Sequence, residues 1–274
     1  IAQRRAERRF VMMSKGVRKA LALCRLYLAY MLEYRAEIYL WVLASSLPLI
    51  LLGVWAQAAQ SGAFPLSRVE FIRYFIAVFV VRQFSFIWVI WEFEELVVTG
   101  SLSQQLLQPL NPVWRYLASH LTERAVRLPL VLGVVGLAFW IYPEAFWVPS
   151  FTDLGRAFGL LALAFGARFL LQYMMSMLAF WSERAAAIEE LWFVLHLFLS
   201  GLIAPLDVYP EPIRRLTELT PFPYLIYHPV NLLLGRGGPA LHGVGVLLAW
   251  GGAALLIQRW LWKRGLERYS AMGN

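Results

Sequence analysis

Cysteine, charge and nucleotide-binding motifs are scarce or missing in this sequence of 274 residues. Its one cysteine, Cys24, excludes an internal disulfide and a cysteine-rich metal site. Charged residues make up only 15% of the chain, far fewer than a soluble domain of this length needs. There is no glycine-rich Walker loop, so the chain cannot bind and hydrolyse a nucleotide by that route. The histidines are scattered without a paired-histidine or aspartate-rich signature, so no metal site is predicted.

Apolar residues dominate what is present. Hydrophobic residues account for 60% of the chain, the mean hydropathy is +0.59, and the aromatic residues comprise 12 Trp, 12 Tyr and 18 Phe. Rings at this density are typical of side chains that anchor at bilayer interfaces. The formal net charge of +8 is concentrated beside the apolar runs, which favours a lipid bilayer over a nucleic acid as the partner of these cations.

Six apolar runs are each roughly as long as the ~20 residues that cross a hydrocarbon core of about 30 Å. They predict an all-α, polytopic integral membrane protein in which residues 1–274 form a single membrane domain. The predicted transmembrane spans are 38–58, 71–91, 126–142, 154–180, 186–204 and 241–262. Pro48 lies near the middle of the first span, where a kink is tolerated.

Basic residues set the predicted orientation. Segment 1–35 is rich in Arg and Lys and has apolar residues at helical spacing in its second half, so we expect an interfacial helix on the inner leaflet, with a solvated basic tail as the alternative. Arg115, Arg124 and Arg127 precede or begin span three, and the tail after span six is also basic. All of these fall on one side of the membrane, which predicts cytoplasmic N- and C-termini.

A polar insert, residues 92–125, connects spans two and three. Within it Gly100 can end one helix and Ser101 can cap the next, and a second helical stretch leads into span three. We expect a short helix across the base of the membrane domain, braced by Glu94 and Glu95. An ordinary loop helix that shields the bundle is the alternative.

The segment between spans five and six, residues 205–240, is rich in proline and predicts two short amphipathic helices. An extracytoplasmic re-entrant hairpin that dips into the outer leaflet would satisfy its backbone internally. The apolar residues that this hairpin would bury are Ile213, Leu216, Leu219, Leu225 and Ile226.

Two patterns at matching positions resemble the permease subunits of type-2 ABC exporters, in the short form that lacks a fused ATPase domain. They are Gly100-Ser101-Leu102…Leu107…Pro109…Pro112 after span two and Ser200-Gly201…Pro205-Leu206…Pro210…Leu216…Leu219-Thr220-Pro221…Pro223…Pro229 after span five. The resemblance covers nearly the whole chain in order. This chain has Gly-Ser-Leu where Gly-Thr-Leu is commoner in the family, which is a conservative departure.

The resemblance implies a permease that forms half of a translocation pathway and is coupled to a separate ATPase through the loop between spans two and three. It carries the ATPase-coupling role to Glu94, Glu95, Gly100, Ser101 and Leu102, with Ser182, Glu183 and Arg184 as a second, lesser contact. The chain itself would bind no cofactor and catalyse no reaction, since ATP and Mg would be bound by the partner ATPase.

The resemblance also implies the partners and the location. We expect two copies of the ATPase subunit, a second six-span permease that is identical or paralogous, and the cytoplasmic membrane of a prokaryote. The direction would be export. Amphiphiles, cationic drugs, peptides and lipid-linked glycans all suit exporters of this kind, so the substrate stays open.

Four polar residues deep within predicted spans are candidates for a pathway lining or an intramembrane polar contact: Arg82, Arg168, Gln172 and His196. A buried arginine costs at least about 3 kcal/mol on insertion scales, so it should face protein or water. These residues either line a pathway for an anionic group or are held by carboxylates and helix-end carbonyls. Helix rise places the nearest acids, Glu189 and Glu190, about two turns shallower than Arg168.

Two other classes of function stay open from the residues alone. An integral-membrane lipid-modifying enzyme would need catalytic groups clustered at one membrane face. A passive channel or an assembly factor would not need the polar insert after span two.

Overall fold

The computed structural model describes residues 15–237 and 240–272, and all of its regular elements in these ranges are helical. The first fourteen residues of the predicted basic arm lie outside the described residues, as do 238–239 of the predicted hairpin. The α-helices are α1 (Lys15–Glu33), α2 (Arg35–Ala44), α3 (Leu47–Ala58), α4 (Arg68–Ser85), α5 (Val89–Val98), α6 (Leu102–Leu106), α7 (Val113–Ile141), α8 (Phe151–Ser176), α9 (Ala186–Leu199), α10 (Glu211–Glu218), α11 (Phe222–Leu225), α12 (Tyr227–Leu233) and α13 (Ala240–Met272).

Five stretches in the described part of the chain are long and apolar enough to cross a membrane. They are Arg35–Ser61, Arg68–Val98, Val113–Ile141, Phe151–Phe180 and Leu241–Tyr269. The run predicted as span five is α9, which has 14 residues and ends at Leu199 rather than at residue 204. These lengths make the chain a multi-pass membrane protein with five candidate spans.

The first two spans are interrupted, which the sequence does not predict at these positions. Span one breaks at Ser45 and Ser46, between α2 and α3, and Pro48 lies in the first turn of α3 instead of kinking a continuous helix. Span two breaks over 86–88, where Phe86 has extended backbone angles of φ −76° and ψ 135°. Span three is the opposite case, because α7 begins at Val113 and absorbs the second half of the predicted loop.

Two apolar clusters hold the helices together. One surrounds Phe71, Tyr74 and Phe75 on α4, and the other surrounds Phe93 on α5 and Phe180 after α8. The long helices α8 and α13 approach closely where a small residue permits it, since a Cβ added at Gly251 would lie 3.6 Å from the Cα of Ala167. Without a hydrophobic drive between helices in lipid, such close approach is a main source of helix association.

The two ends of the bundle are closed by different segments. At one end α1 packs along α7, and the hydroxyl of Tyr269 near the end of α13 donates to the carbonyl oxygen of Gly100 over 2.7 Å. The N-terminal helix, the insert after span two and the C-terminal helix therefore share one end, as the charge pattern predicts. At the other end residues 200–237 cover the starts of α4 and α8, with Arg236 2.6 Å from Glu70.

Candidate coupling surface and intramembrane polar cluster

The candidate coupling segment, residues 99–112, begins with a glycine turn. Helix α5 ends at Val98, and Gly100 follows with a φ of 74°, a left-handed conformation that favours glycine and ends many helices. The amide of Gly100 donates to the carbonyl of Val97 over 3.2 Å. Gly100 thus ends one helix, as predicted, and turns the chain toward α6.

Ser101 does not cap the next helix as the sequence predicts, and Leu102 is buried. Ser101 occupies the residue before α6, but its side chain makes no capping hydrogen bond and accepts instead from the hydroxyl of Thr99 over 2.9 Å. The side chain of Leu102 is fully buried in the cluster around Phe93, so it anchors the segment and is not presented at the surface. The most exposed apolar side chain of the segment is that of Leu107, with 88% of its surface accessible.

The two predicted acidic braces separate in the structure. Oε2 of Glu94 accepts a hydrogen bond from the backbone amide of Ala186 over 2.6 Å, which satisfies one free donor at the start of α9 and places a negative charge at its positive end. Glu94 therefore braces span five and not the short helix, whereas Glu95 is exposed. The same contact brings the exposed Glu183 and Arg184 beside α5.

Arg82 and its neighbour Gln83 hold the break in span one. The guanidinium of Arg82 donates to the carbonyl oxygen of Ser45 over 3.0 Å, and the amide of Gln83 donates to the Ser45 hydroxyl over 2.6 Å. A broken helix leaves carbonyls without intrahelical partners, and in a membrane these must be satisfied by protein. Arg82 thus donates to a carbonyl at a helix end, which is one of the two expected arrangements.

The break in span two is held by Arg124, which the sequence assigns to a cytoplasmic loop. Its Nε and Nη2 donate to the carbonyls of Phe84 and Phe86, each over 2.8 Å, and Nη1 donates to the carbonyl of His120. Only 9% of Arg124 is exposed. The loop assignment of Arg124 is wrong because α7 runs straight through this region, so the arginine lies inside the bundle.

Arg127, one turn further along α7, is also buried. It pairs with Glu123, and its Nη1 donates to Gln83 over 3.4 Å. A sequence signal for this pair existed, since Glu123 and Arg127 have the i, i+4 spacing of facing helical residues. Arg124 and Arg127 are assigned to the cytoplasmic side by their charge alone, and this interpretation does not predict the pair of Glu123 and Arg127.

Arg168 has a carboxylate partner in spite of the predicted difference in depth. Its Nη2 lies 2.6 Å from Oε1 of Glu189, and each side chain is only 2% exposed. The expectation that Glu189 is too shallow to pair with Arg168 is wrong, since the two side chains meet; α9 starts beside Glu94, and Ala185 just before it is buried. The contact joins α8 to α9 and favours a structural role for Arg168.

The remaining predicted intramembrane residues are buried without forming one site. Gln172 lies one turn from Arg168 and is fully buried, while His196 on α9 is 7% exposed and has its ring centroid 6.3 Å from that of Phe222. In the described part of the chain, no group of three or more His, Cys, Asp or Glu side chains is arranged to hold a metal ion.

The segment 200–237 carries a hydrogen-bonded network outside the membrane-spanning stretches. Glu218 accepts from the hydroxyl of Tyr224 over 2.9 Å, and its Oε2 lies 3.1 Å from Nε2 of His228. The pKa of Glu218 is lowered from its ordinary value, first by the hydrogen bond with His228. Burial and the nearby Asp207 carboxylate raise the pKa of Tyr227, whose hydroxyl donates to Asp207 over 2.9 Å.

The family model described as ABC-2 family transporter protein matches residues 40–273, which include the coupling segment and every candidate span apart from the first five residues of the first one. The chain belongs to this family. A comparison with curated proteins finds no match. This member of the ABC-2 transporter family is thus a multi-pass permease of an ABC transporter, and membership implies association with an ABC ATPase.

Proposed function

We propose that this ABC-2 family member is the non-catalytic permease subunit of an exporter, coupled to a separate ATPase through residues 99–112. The ATPase, in two copies, binds ATP and Mg, and a second six-span permease, identical or paralogous, completes the pathway. The observation that supports the proposal is the structure of the coupling segment. It has a glycine turn at Gly100, a buried side chain at Leu102 and an exposed one at Leu107, all at one end of the bundle.

The segment has the mechanical properties that a coupling element needs. Leu102 fixes it in the core, and Tyr269 ties it to the C-terminal helix through Gly100 and through the amide of Ser103, which donates over 3.3 Å. A push on an anchored segment moves the helices that hold it, whereas a push on a loose loop does not. Leu107 projects from the anchored segment and supplies an apolar contact for the ATPase.

The topology that we propose has six spans and a re-entrant segment. Helix α9 is about 21 Å long at 1.5 Å per residue, which is short for a span, so the turn at 200–204 completes the crossing. Support for re-entry comes from α10 and the turn after it, where Ile213, Leu216 and Leu219 are 47%, 69% and 64% exposed. An exposed apolar face on a short helix suits the outer leaflet.

Of the five apolar residues that the predicted hairpin 205–240 would bury in the outer leaflet, two pack inside the protein. Leu225 and Ile226 are fully buried, and the amide of Tyr227 donates to the carbonyl of Ser200 over 3.0 Å, which closes the backbone of the segment on itself. The remaining three face outward, where the proposal places lipid. With both termini cytoplasmic, this end of the bundle is extracytoplasmic.

The test is the single substitution Leu107→Asp in the permease co-expressed with its ATPase. A charge at the contact should lower ATPase assembly in a mild-detergent pull-down and lower permease-stimulated ATP hydrolysis, while the permease keeps its melting temperature because Leu107 makes no buried contact. Leu107→Met, which keeps an apolar side chain at the same exposed position, is the matched control and should assemble and stimulate hydrolysis as the unmodified chain does. Normal assembly and hydrolysis with Leu107→Asp would overturn the coupling assignment.

A further inference from the structure

A cavity of about 110 Å³ lies between the two broken spans. Its lining includes Trp41, Ser45, Arg82, Gln83, Trp88 and Arg127. The cavity exists because both α2 and α4 stop at this level, so neither helix fills the space between them and α7. Two of its six named lining residues are arginines, although it lies within membrane-spanning stretches.

The charges at this cavity are not balanced by protein. Arg127 is paired with Glu123, but its Nε is buried and has no hydrogen-bond partner. Arg82 donates to the Ser45 carbonyl, and among the described residues no carboxylate lies within 4.0 Å of its guanidinium. Two guanidinium groups beside one carboxylate leave a net positive charge in a medium of low dielectric constant, which is costly unless an anion neutralises it.

The size and the donors of the cavity fit one tetrahedral oxyanion. Its volume corresponds to between three and four waters at about 30 Å³ each. The planar forks of two guanidinium groups match the oxygens of a phosphate group, and the amide of Gln83 is a further donor on the same wall. An inward-facing carboxylate, which would reject an anion, is absent from the lining.

The position of the cavity favours a phosphate that arrives on an amphiphile. At 1.5 Å per residue Arg82 lies about 21 Å along α4 from Arg68, which leaves about 9 Å to the opposite face of a 30 Å core. Trp41 at the mouth is 54% exposed, and its ring centroid lies 6.2 Å from that of Trp88. Tryptophan pairs of this kind suit the boundary between headgroups and acyl chains.

We infer that this cavity binds a phosphate group, held by Arg82 and Arg127, with an anionic lipid of the adjacent leaflet as the source that its depth favours. Free phosphate is the other source of the same chemistry. Phosphate binding at this cavity does not require coupling to an ATPase, so it can be tested independently of the proposed function.

The test measures binding to the purified full chain in detergent by native mass spectrometry. The probes are phosphatidylglycerol, which carries a net negative charge, phosphatidylcholine, which does not, and inorganic phosphate as a competitor. Arg82→Gln should weaken phosphatidylglycerol binding at least about tenfold, the factor that one charge-assisted hydrogen bond carries. Arg82→Lys should retain most of the binding because it keeps the charge.

Two further variants separate loss of the site from loss of the fold. Arg73→Gln is the matched control, since Arg73 is on the same helix and donates to the carbonyls of Ala145 and Phe146, each over 3.1 Å, far from the cavity. It should bind lipid as the unmodified chain does. Ala44→Phe adds a ring at a residue that lines the cavity and leaves both arginines in the sequence, and it should also lose binding.

The outcomes divide cleanly. If phosphatidylglycerol binds selectively and inorganic phosphate does not displace it, the ligand is the lipid. If millimolar phosphate displaces the lipid, or if phosphate itself binds and requires Arg82, the ligand is the free ion. Equal binding of phosphatidylglycerol and phosphatidylcholine overturns the site. So does unchanged binding in both Arg82→Gln and Ala44→Phe.

Discussion

Removal of one partner from the buried ion pair of spans four and five should destabilise this permease far more than removal of both. Arg168 and Glu189 lie 2.6 Å apart, and each is 2% exposed. The remaining Nη1 of Arg168 and Oε2 of Glu189 are buried without geometrically satisfactory hydrogen-bond partners, and the pair is flanked by Gln172 and by the ring of Trp192, whose centroid lies 4.9 Å from the guanidinium carbon. The changes to make are Arg168→Met, Glu189→Leu and the two together.

The expected sizes follow from the burial of the pair. Breaking a buried ion pair leaves an uncompensated charge and costs about 3–5 kcal/mol, whereas exchange of both partners for apolar residues of similar volume is often neutral. Each single variant should therefore lose about 3–5 kcal/mol and the double variant less than about 2 kcal/mol. The coupling energy between the two positions should then be at least about 4 kcal/mol.

The assay is thermal unfolding of the purified permease in one detergent, with circular dichroism as the signal. For a chain of this size about 3–5 kcal/mol corresponds to a fall in melting temperature on the order of 10 °C, and the double variant should recover most of it. If the losses of the single variants add in the double variant, the two side chains act independently. The assignment of Arg168 as a structural residue would then be refuted.

Three further predictions concern other contacts. Arg124→Leu should lower the free energy of unfolding by about 3 kcal/mol, because several carbonyls at the helix break lose their donor. Arg124→Lys should not restore this stability in thermal unfolding, since one ammonium group cannot reach all of these carbonyls, and full restoration by lysine would contradict the contact geometry. Glu94→Ala should lower the free energy of unfolding by about 1 kcal/mol, because the amide of Ala186 loses its hydrogen-bond acceptor. Amide hydrogen exchange at the start of α9 should then become faster, and an unchanged exchange rate would contradict the contact. Because the folded-state pKa of Glu218 is lowered, its contribution to stability is present above the ordinary value of 4.5 and is lost as the pH falls through the lower folded-state value. Glu218→Gln should remove this acid-side loss from a stability–pH profile, and an unchanged profile would show that the contact with His228 does not matter.

The sequence predicts the long helices well because lipid imposes one strong rule on them. Apolar length alone locates the spans, and span four, predicted as 154–180, is observed as Phe151–Phe180. The glycine turn at Gly100 is equally readable, since a left-handed backbone after a helix strongly favours glycine. In both cases the signal is local to the segment that it describes.

The two helix breaks illustrate what a sequence cannot show locally. Residues 84–89 contain neither proline nor glycine, so the local sequence of span two does not predict a helix break there. The break is tolerated because Arg124, about forty positions further along, donates to the freed carbonyls. A helix break in the membrane and a buried arginine are each unfavourable alone. The fold explains both, because it places the guanidinium of Arg124 beside the carbonyls that the break leaves free.

The depth error at Glu189 has the same origin. Helix rise measures distance along one helix, but it says nothing about the level at which a helix begins. Helix α9 begins beside α5, where Glu94 accepts a hydrogen bond from the amide of Ala186. A contact between distant residues thus decides whether Arg168 has a partner, and with it the choice between a pathway residue and a structural one.

The proposed coupling and the intramembrane cluster are joined by one rigid piece of the chain. Helix α5 has ten residues, with the break at 86–88 at one end and Gly100 at the other. Its middle is fixed by Phe93, whose ring packs edge-on against those of Tyr173 and Phe180 at 5.8 Å and 5.4 Å. In the proposed function, a force applied to the coupling segment would reach the break as a tilt of α5 about Phe93. Such a tilt would alter the carbonyls that Arg124 holds, beside the cavity with its two arginines. In the proposed cycle, an uninterrupted span two would pass this force along the whole membrane, whereas the break confines it to the level of the cavity.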